Sequence, residues 1–163
     1  MARKVFFSFH YENDIRRVAQ VRNSWRIRNG NDTQPFMDKA DWETLKKSSD
    51  KAIENWIEKQ LKGTSVTVVL IGSDTFNRPW VRHEINRSHM LGKGMIGIYI
   101  HNVKDPQKGT SSKGINPFNY WYIEENGSKK YFSEIYPTYD WVIDDGFNNI
   151  EGWIETAVKN AGR

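Results

Sequence analysis

The sequence predicts a doubly wound α/β domain: five parallel strands in one sheet, helices on both faces, and a hairpin inserted before the last strand. Three observations lead there. Short runs of nearly continuous apolar, β-branched and aromatic residues recur along the chain, which is the pattern of parallel strands covered on both faces. Between these runs the apolar residues fall instead at helical spacing. The length of 163 residues, with no internal repeat and no linker long enough to divide it, suits a single domain, 1–163, around one core.

The elements follow in order. Residues 5–9 form the first strand, and the helix at 13–28 keeps Ile15, Val18, Val21 and Trp25 on one face. Its arginines, Arg16, Arg17, Arg22, Arg26 and Arg28, are expected on the solvated side, although they could also meet phosphates or an acidic partner. A weaker strand is predicted at 35–37. The helix at 49–62 carries Ala52, Ile53, Trp56, Ile57 and Leu61 inward, with Gly63 placed to end it. The third strand spans 66–71. Arg78 and Pro79 open a helix that reaches Gly92, since proline suits a first helical turn. The fourth strand is predicted at 95–100 and the fifth at 139–143. Between those two lies the insertion, about 102–138, where Asn126-Gly127 between aromatic runs signals a tight hairpin turn. Ile150, Trp153, Ile154, Ala157, Val158 and Ala161 mark the closing helix. Right-handed crossovers joining parallel strands in this sequence give the flavodoxin-like order 2-1-3-4-5.

Composition removes several classes of function. The chain has no cysteine, hence no disulfide, thiol nucleophile or thiolate metal site. No apolar stretch approaches the ~20 residues of a membrane span, and Met1 to Lys4 leads directly into a strand-like run without the form of a signal peptide. A cytoplasmic protein that does not act on membranes is expected. The balance of 24 basic and 20 acidic residues, a net +4, is spread along the chain, and no nucleic-acid-binding module is recognisable. Gly92, Gly94 and Gly97 match the spacing of a dinucleotide fingerprint, but they follow a helix and enter a strand, the reverse of the required context. A phospho-receiver would need acidic residues after strand 1, where Ser8, Phe9 and His10 stand. The four histidines lack metal-ligand spacing with carboxylates, so no metal is expected.

In an open α/β sheet, ligands bind beyond the C-terminal strand ends where the strand order reverses, here between strands 1 and 3. The loop after strand 1 brings Ser8, Phe9 and His10; the loop after strand 3 leads into Trp80 and Glu84. These last two are four residues apart and share a helix face. The helix dipole favours an ionised Glu84 at neutral pH unless burial raises its pKa. Spacing alone also permits a solvated Glu84 interacting with Arg87.

Several segments carry a family resemblance. Residues 4–9, the run Val68-Val69-Leu70-Ile71-Gly72-Ser73, and Trp80-Val81-Arg82-His83-Glu84-Ile85 resemble TIR and TIR-like domains, in particular those of bacterial Thoeris antiphage defence. Thr75-Phe76-Asn77-Arg78 and Tyr139-Asp140-Trp141-Val142 extend the resemblance over nearly the whole chain. Its most specific feature is W-x-x-x-E after strand 3; the insertion matches least and is shorter than the family pattern. The resemblance implies cleavage of NAD, as substrate and not cofactor, at the nicotinamide–ribose bond, with Glu84 catalytic. It also implies an ADP-ribose-derived product, often cyclic, that a separate effector protein senses. Phe9 and Trp80 become candidate stacking surfaces, Ser8 and His10 candidate ribose or phosphate contacts, and Phe36 and Asp38 match a loop that overhangs the nucleotide and mediates self-association. Trp25, Trp56 and Trp153 are expected in the core. The hairpin is a candidate lid or sensor for a phage-derived trigger, and removal of 119–133 is expected to leave the fold intact. Two alternatives remain at this stage: a non-catalytic assembly module, and a glycosyl-transferring enzyme that releases a base other than nicotinamide.

Overall fold

The computed structural model describes residues 4–29 and 39–162. Its elements are β1 (Val5–Ser8), α1 (Tyr11–Asn29), α2 (Lys39–Lys46), α3 (Asp50–Leu61), β2 (Val66–Ile71), α4 (Pro79–Met90) and β3 (Gly94–Tyr99), then β4 (Tyr122–Glu125), β5 (Ser128–Tyr131), α5 (Phe132–Ile135), β6 (Thr138–Asp140) and α6 (Gly146–Asn160). Among the described residues the main sheet has four parallel strands in the order β1-β2-β3-β6. This is the predicted order of strands 1, 3, 4 and 5. The predicted strand at 35–37 lies outside the described residues, as do Phe36 and Asp38.

Both faces of the sheet are covered, as near-continuous apolarity requires. Val66, Val68 and Leu70 pack with Val5 and Phe7 against Val18, Val21 and Trp25 of α1 and Ile150, Ile154 and Val158 of α6. The alternate side chains, Val69 and Ile71, meet Val81 and Ile85 of α4, while Phe6 meets Ile53, Ile57 and Leu61 of α3. Each such side chain removed from water contributes roughly 1.5–3 kcal/mol. Ser49 caps α3 by accepting from the Ala52 amide at 3.2 Å. Pro79 begins α4. Gly72 allows the end of β2 to approach α1 closely: a Cβ there would fall 2.1 Å from Asp14 Oδ2.

Three expectations are corrected. Neither Arg22, which is buried, nor Arg17 is on a wet face. Arg17 is buried, donating to the Val103 and Gly109 carbonyls at 3.0 and 2.9 Å and pairing with Asp14 at 3.3 Å. Arg16 bonds Asp105 and holds its carboxyl down to about 2, with help from the Gln107 and Lys108 amides. Arg16 and Arg17 therefore tie the start of the insertion to α1. The last strand also ends early, at Asp140, because that carboxylate accepts from the Val142 and Ile143 amides and turns the chain, leaving both aliphatic side chains exposed.

The third concerns the hairpin. Its turn is as predicted, with Asn126 and Gly127 at φ 54° and 79° between antiparallel β4 and β5. The root of this region is core, however. Phe118 and Phe132 are buried with Val81 and Ile85, and Trp121 Nε1 donates to the Arg82 carbonyl at 2.9 Å. Removing 119–133 would take Phe132 out of the core, so only the exposed tip is separable.

Candidate active site

β1 ends at Ser8, and α4 runs back from the end of the adjacent β2, so residues 76 apart in sequence meet: Ser8 Oγ donates to Glu84 Oε1 at 2.6 Å. The Glu84 turn is fixed to the sheet. Ser88 Oγ bonds the Glu84 carbonyl at 2.7 Å and meets Thr67 Oγ1 of β2 at 2.7 Å. Glu84 is 8% exposed, and burial pushes its carboxyl up to about 8, against the opposing effect of the Ser8 hydrogen bond. The exception attached to an ionised Glu84, burial that raises its pKa, is thus the case that applies. Glu84 is the sixth residue of α4, past the first turn over which a helix dipole acts, and desolvation dominates. Nor does it pair with Arg87, whose guanidinium binds Glu58 of α3.

Above Glu84 opens a cleft of about 150 Å³. Phe9, His10 and Tyr11 form one wall, Leu45, Ile53, Trp56 and Ile57 a second, and Arg78, Pro79, Trp80 and Val81 a third. Phe9 stacks on Tyr11 with centroids 5.9 Å apart, and Trp80 lies edge-on to His83 at 5.5 Å. His10 Nε2 lies 3.4 Å from an Arg78 amino group. Burial, then the Arg78 charge, lower the His10 pKa, which favours a neutral imidazole. Arg78 is also paired with Asp74 at 3.1 Å.

The structure therefore unites Ser8, Phe9, His10, Trp80 and Glu84 of the expected site residues. Tyr11, Glu12 and Arg78 of the two expected loops line it as well, whereas the wall from α2 and α3 was not foreseen. Trp56 is a correction: it was expected in the core but is half-buried and faces the cleft. Trp25 is core, and Trp153 stacks on Tyr139 at 4.1 Å. Helical spacing told which side of α3 turns inward, but not that the upper end of that side borders an opening. Among the described residues no group of three His, Cys, Asp or Glu side chains is placed to hold a metal ion, and no helix is long and apolar enough to cross a membrane.

The family model described as "Thoeris protein ThsB, TIR-like domain" matches residues 6–105, from β1 through β3 into the first turns of the insertion. The chain belongs to this Thoeris TIR-like family. It is also 39% identical, over 191 aligned positions covering 94% of this chain and 100% of the relative, to the Bacillus cereus (strain MSX-D12) protein named "Putative cyclic ADP-D-ribose synthase ThsB1". The segment matched by the family model contains every element that builds the cleft, from Ser8 to Glu84.

Proposed function

We propose that the protein cleaves NAD at the nicotinamide–ribose bond and converts the remainder to a cyclic ADP-ribose-type second messenger of antiphage defence, with Glu84 as the catalytic residue. The observation that carries this is a buried carboxyl, held by one serine hydroxyl, at the floor of an aromatic cleft. The name of the Bacillus cereus relative supports the product class.

The chemistry needs only one carboxylate. Nicotinamide is cationic in NAD and leaves neutral, so no acid has to protonate it, in contrast to ordinary glycoside hydrolysis. As the bond lengthens, positive charge grows on the ribose, and a fixed anion in a dry site stabilises that charge. The pyridinium ring entering beside Glu84 favours the ionised carboxylate, an opposite charge at close range in place of water. The walls of Trp80, Phe9 and Tyr11 offer ring surfaces to the dinucleotide. In this reading a phage-derived signal starts turnover, self-association accompanies it, and a separate effector protein reads the product.

The test is incubation with NAD while nicotinamide release and product mass are followed. Glu84→Gln keeps the shape and removes the anion, and its turnover should fall about a hundred-fold or more. Equal nicotinamide release by a turning-over wild type and the variant would overturn the assignment.

A further inference from the structure

Resting on the NAD-cleaving reading, we infer that Trp56 sets the product: with Trp80 it forms a two-indole platform that holds the adenine end of NAD folded over the reacting ribose. Trp80 stands one helical turn before Glu84 on α4, so it serves the ring attached to the ribose at Glu84. Trp56 comes from a different helix, α3, and lines the same cleft. Both indoles are half-buried, each packing on the Phe6, Ile53, Ile57 and Leu61 cluster. Half-exposed tryptophans on two helices give one cleft two large apolar platforms, and a dinucleotide has two planar ends.

The spacing of the platforms is fixed by the fold. α3 runs into β2 and α4 runs out of it, so both helices are antiparallel to that strand and parallel to each other, with their N-terminal halves at the cleft. Arg87 binds both carboxylate oxygens of Glu58, joining the two helices away from the cleft. The backbones that carry Trp56 and Trp80 are thus held beside one another, each indole against the same core cluster. The cleft volume of about 150 Å³ is small beside the ~300–1,000 Å³ of pockets that enclose a whole drug-sized ligand. A cleft of that size encloses one half of a dinucleotide, so the other half rests on the half-exposed rings at its border, Trp56 among them.

The consequence lies in which nucleophile reaches the ribose. The C1′–N bond to nicotinamide breaks and its electron pair leaves with nicotinamide. The new bond to C1′ comes from water or from a ring nitrogen or hydroxyl of the adenosine half. In every case one proton is released, so NAD gives nicotinamide, one proton, and either linear ADP-ribose (with water consumed) or a cyclic isomer of its dehydrated form. A stacked adenine has a high effective concentration at C1′, and the apolar wall of Leu45, Ile53 and Ile57 gives water few partners. Trp56 thus acts on the partition and not on bond cleavage as such.

The experiment measures the cyclic-to-linear product ratio, together with nicotinamide, for the full chain and for Trp56→Ala and Trp56→Phe. Trp56→Ala should lower the ratio about ten-fold, the scale of losing one base-stacking surface, and Trp56→Phe should restore most of it. In a second arm NAD is titrated calorimetrically into Glu84→Gln, where adding Trp56→Ala should weaken binding about ten-fold. An unchanged ratio in Trp56→Ala, at any total rate, assigns Trp56 to packing alone and overturns the inference. A wild type that makes only linear product overturns it too, but leaves NAD cleavage standing. A wild type that neither cleaves nor binds NAD overturns both.

Discussion

Two buried carboxyls lie at the two junctions that α1 and its preceding loop make with the rest of the molecule, and they are treated differently. Asp14, where α1 meets the insertion, is buried beside Arg17, whose other donors are taken by the Val103 and Gly109 carbonyls. Glu84, under the cleft, has a serine hydroxyl and, among the described residues, no cation. Burial raises both; only at Asp14 does a guanidinium oppose it. A carboxyl compensated from within the chain holds structure together. One left uncompensated in an apolar, open cleft is complementary to a cation from outside, and the pyridinium of NAD is such a cation.

The largest effect expected from this contrast is at Arg17. Arg17→Met keeps the volume but leaves Asp14 buried without its cation, which should cost ~3–5 kcal/mol of stability in urea unfolding. A loss under about 1 kcal/mol would show that the pair does not hold the junction.

Glu84→Gln should move stability the other way. With its carboxyl raised from 4.5 to about 8, native Glu84 binds a proton that the unfolded chain releases between those values. Its contribution to stability therefore falls as pH rises through that window, is unchanged below it, and is fully lost above it. At neutral pH this amounts to about 3 kcal/mol at most, and Glu84→Gln should recover part of it and flatten the slope. A variant less stable than wild type at pH ~7 would contradict the account.

Ser8→Ala should act more gently. It removes the hydrogen bond that lowers the Glu84 pKa, so the carboxyl should climb by about one further unit. Observing the labelled Glu84 carboxyl by NMR during a pH titration checks this, and an unmoved midpoint would remove Ser8 from the site's electrostatics.

Much of this contrast was legible in the sequence, and the part that was not has physical causes. The strand runs and helix stripes placed β1, β2, β3 and α4, and the switch-point rule brought Ser8 and Glu84 to one place, because both signals depend on local period and topology. The burial of Arg17 was hidden, since its partners are backbone carbonyls 86 and 92 residues away. The raised pKa of Glu84 depends on solvent exclusion by α3, Trp80 and β1 together, which spacing within α4 does not encode. α2 escaped notice because eight residues offer little periodicity. The early end of β6 came from one aspartate bonding two amides, a turn that overrode the apolar run beyond it.

The central claim is that one buried, uncompensated carboxyl performs the chemistry, and the pH dependence of kcat/KM for nicotinamide release tests it most directly. This quantity reports ionisation in the free enzyme, and the free carboxyl titrates at about 8. The account predicts a rise of about ten-fold per pH unit from about pH 6, levelling near pH 8, and absent in Glu84→Gln. A profile that is flat across this range, or that levels near the pKa of an ordinary glutamate, would contradict it.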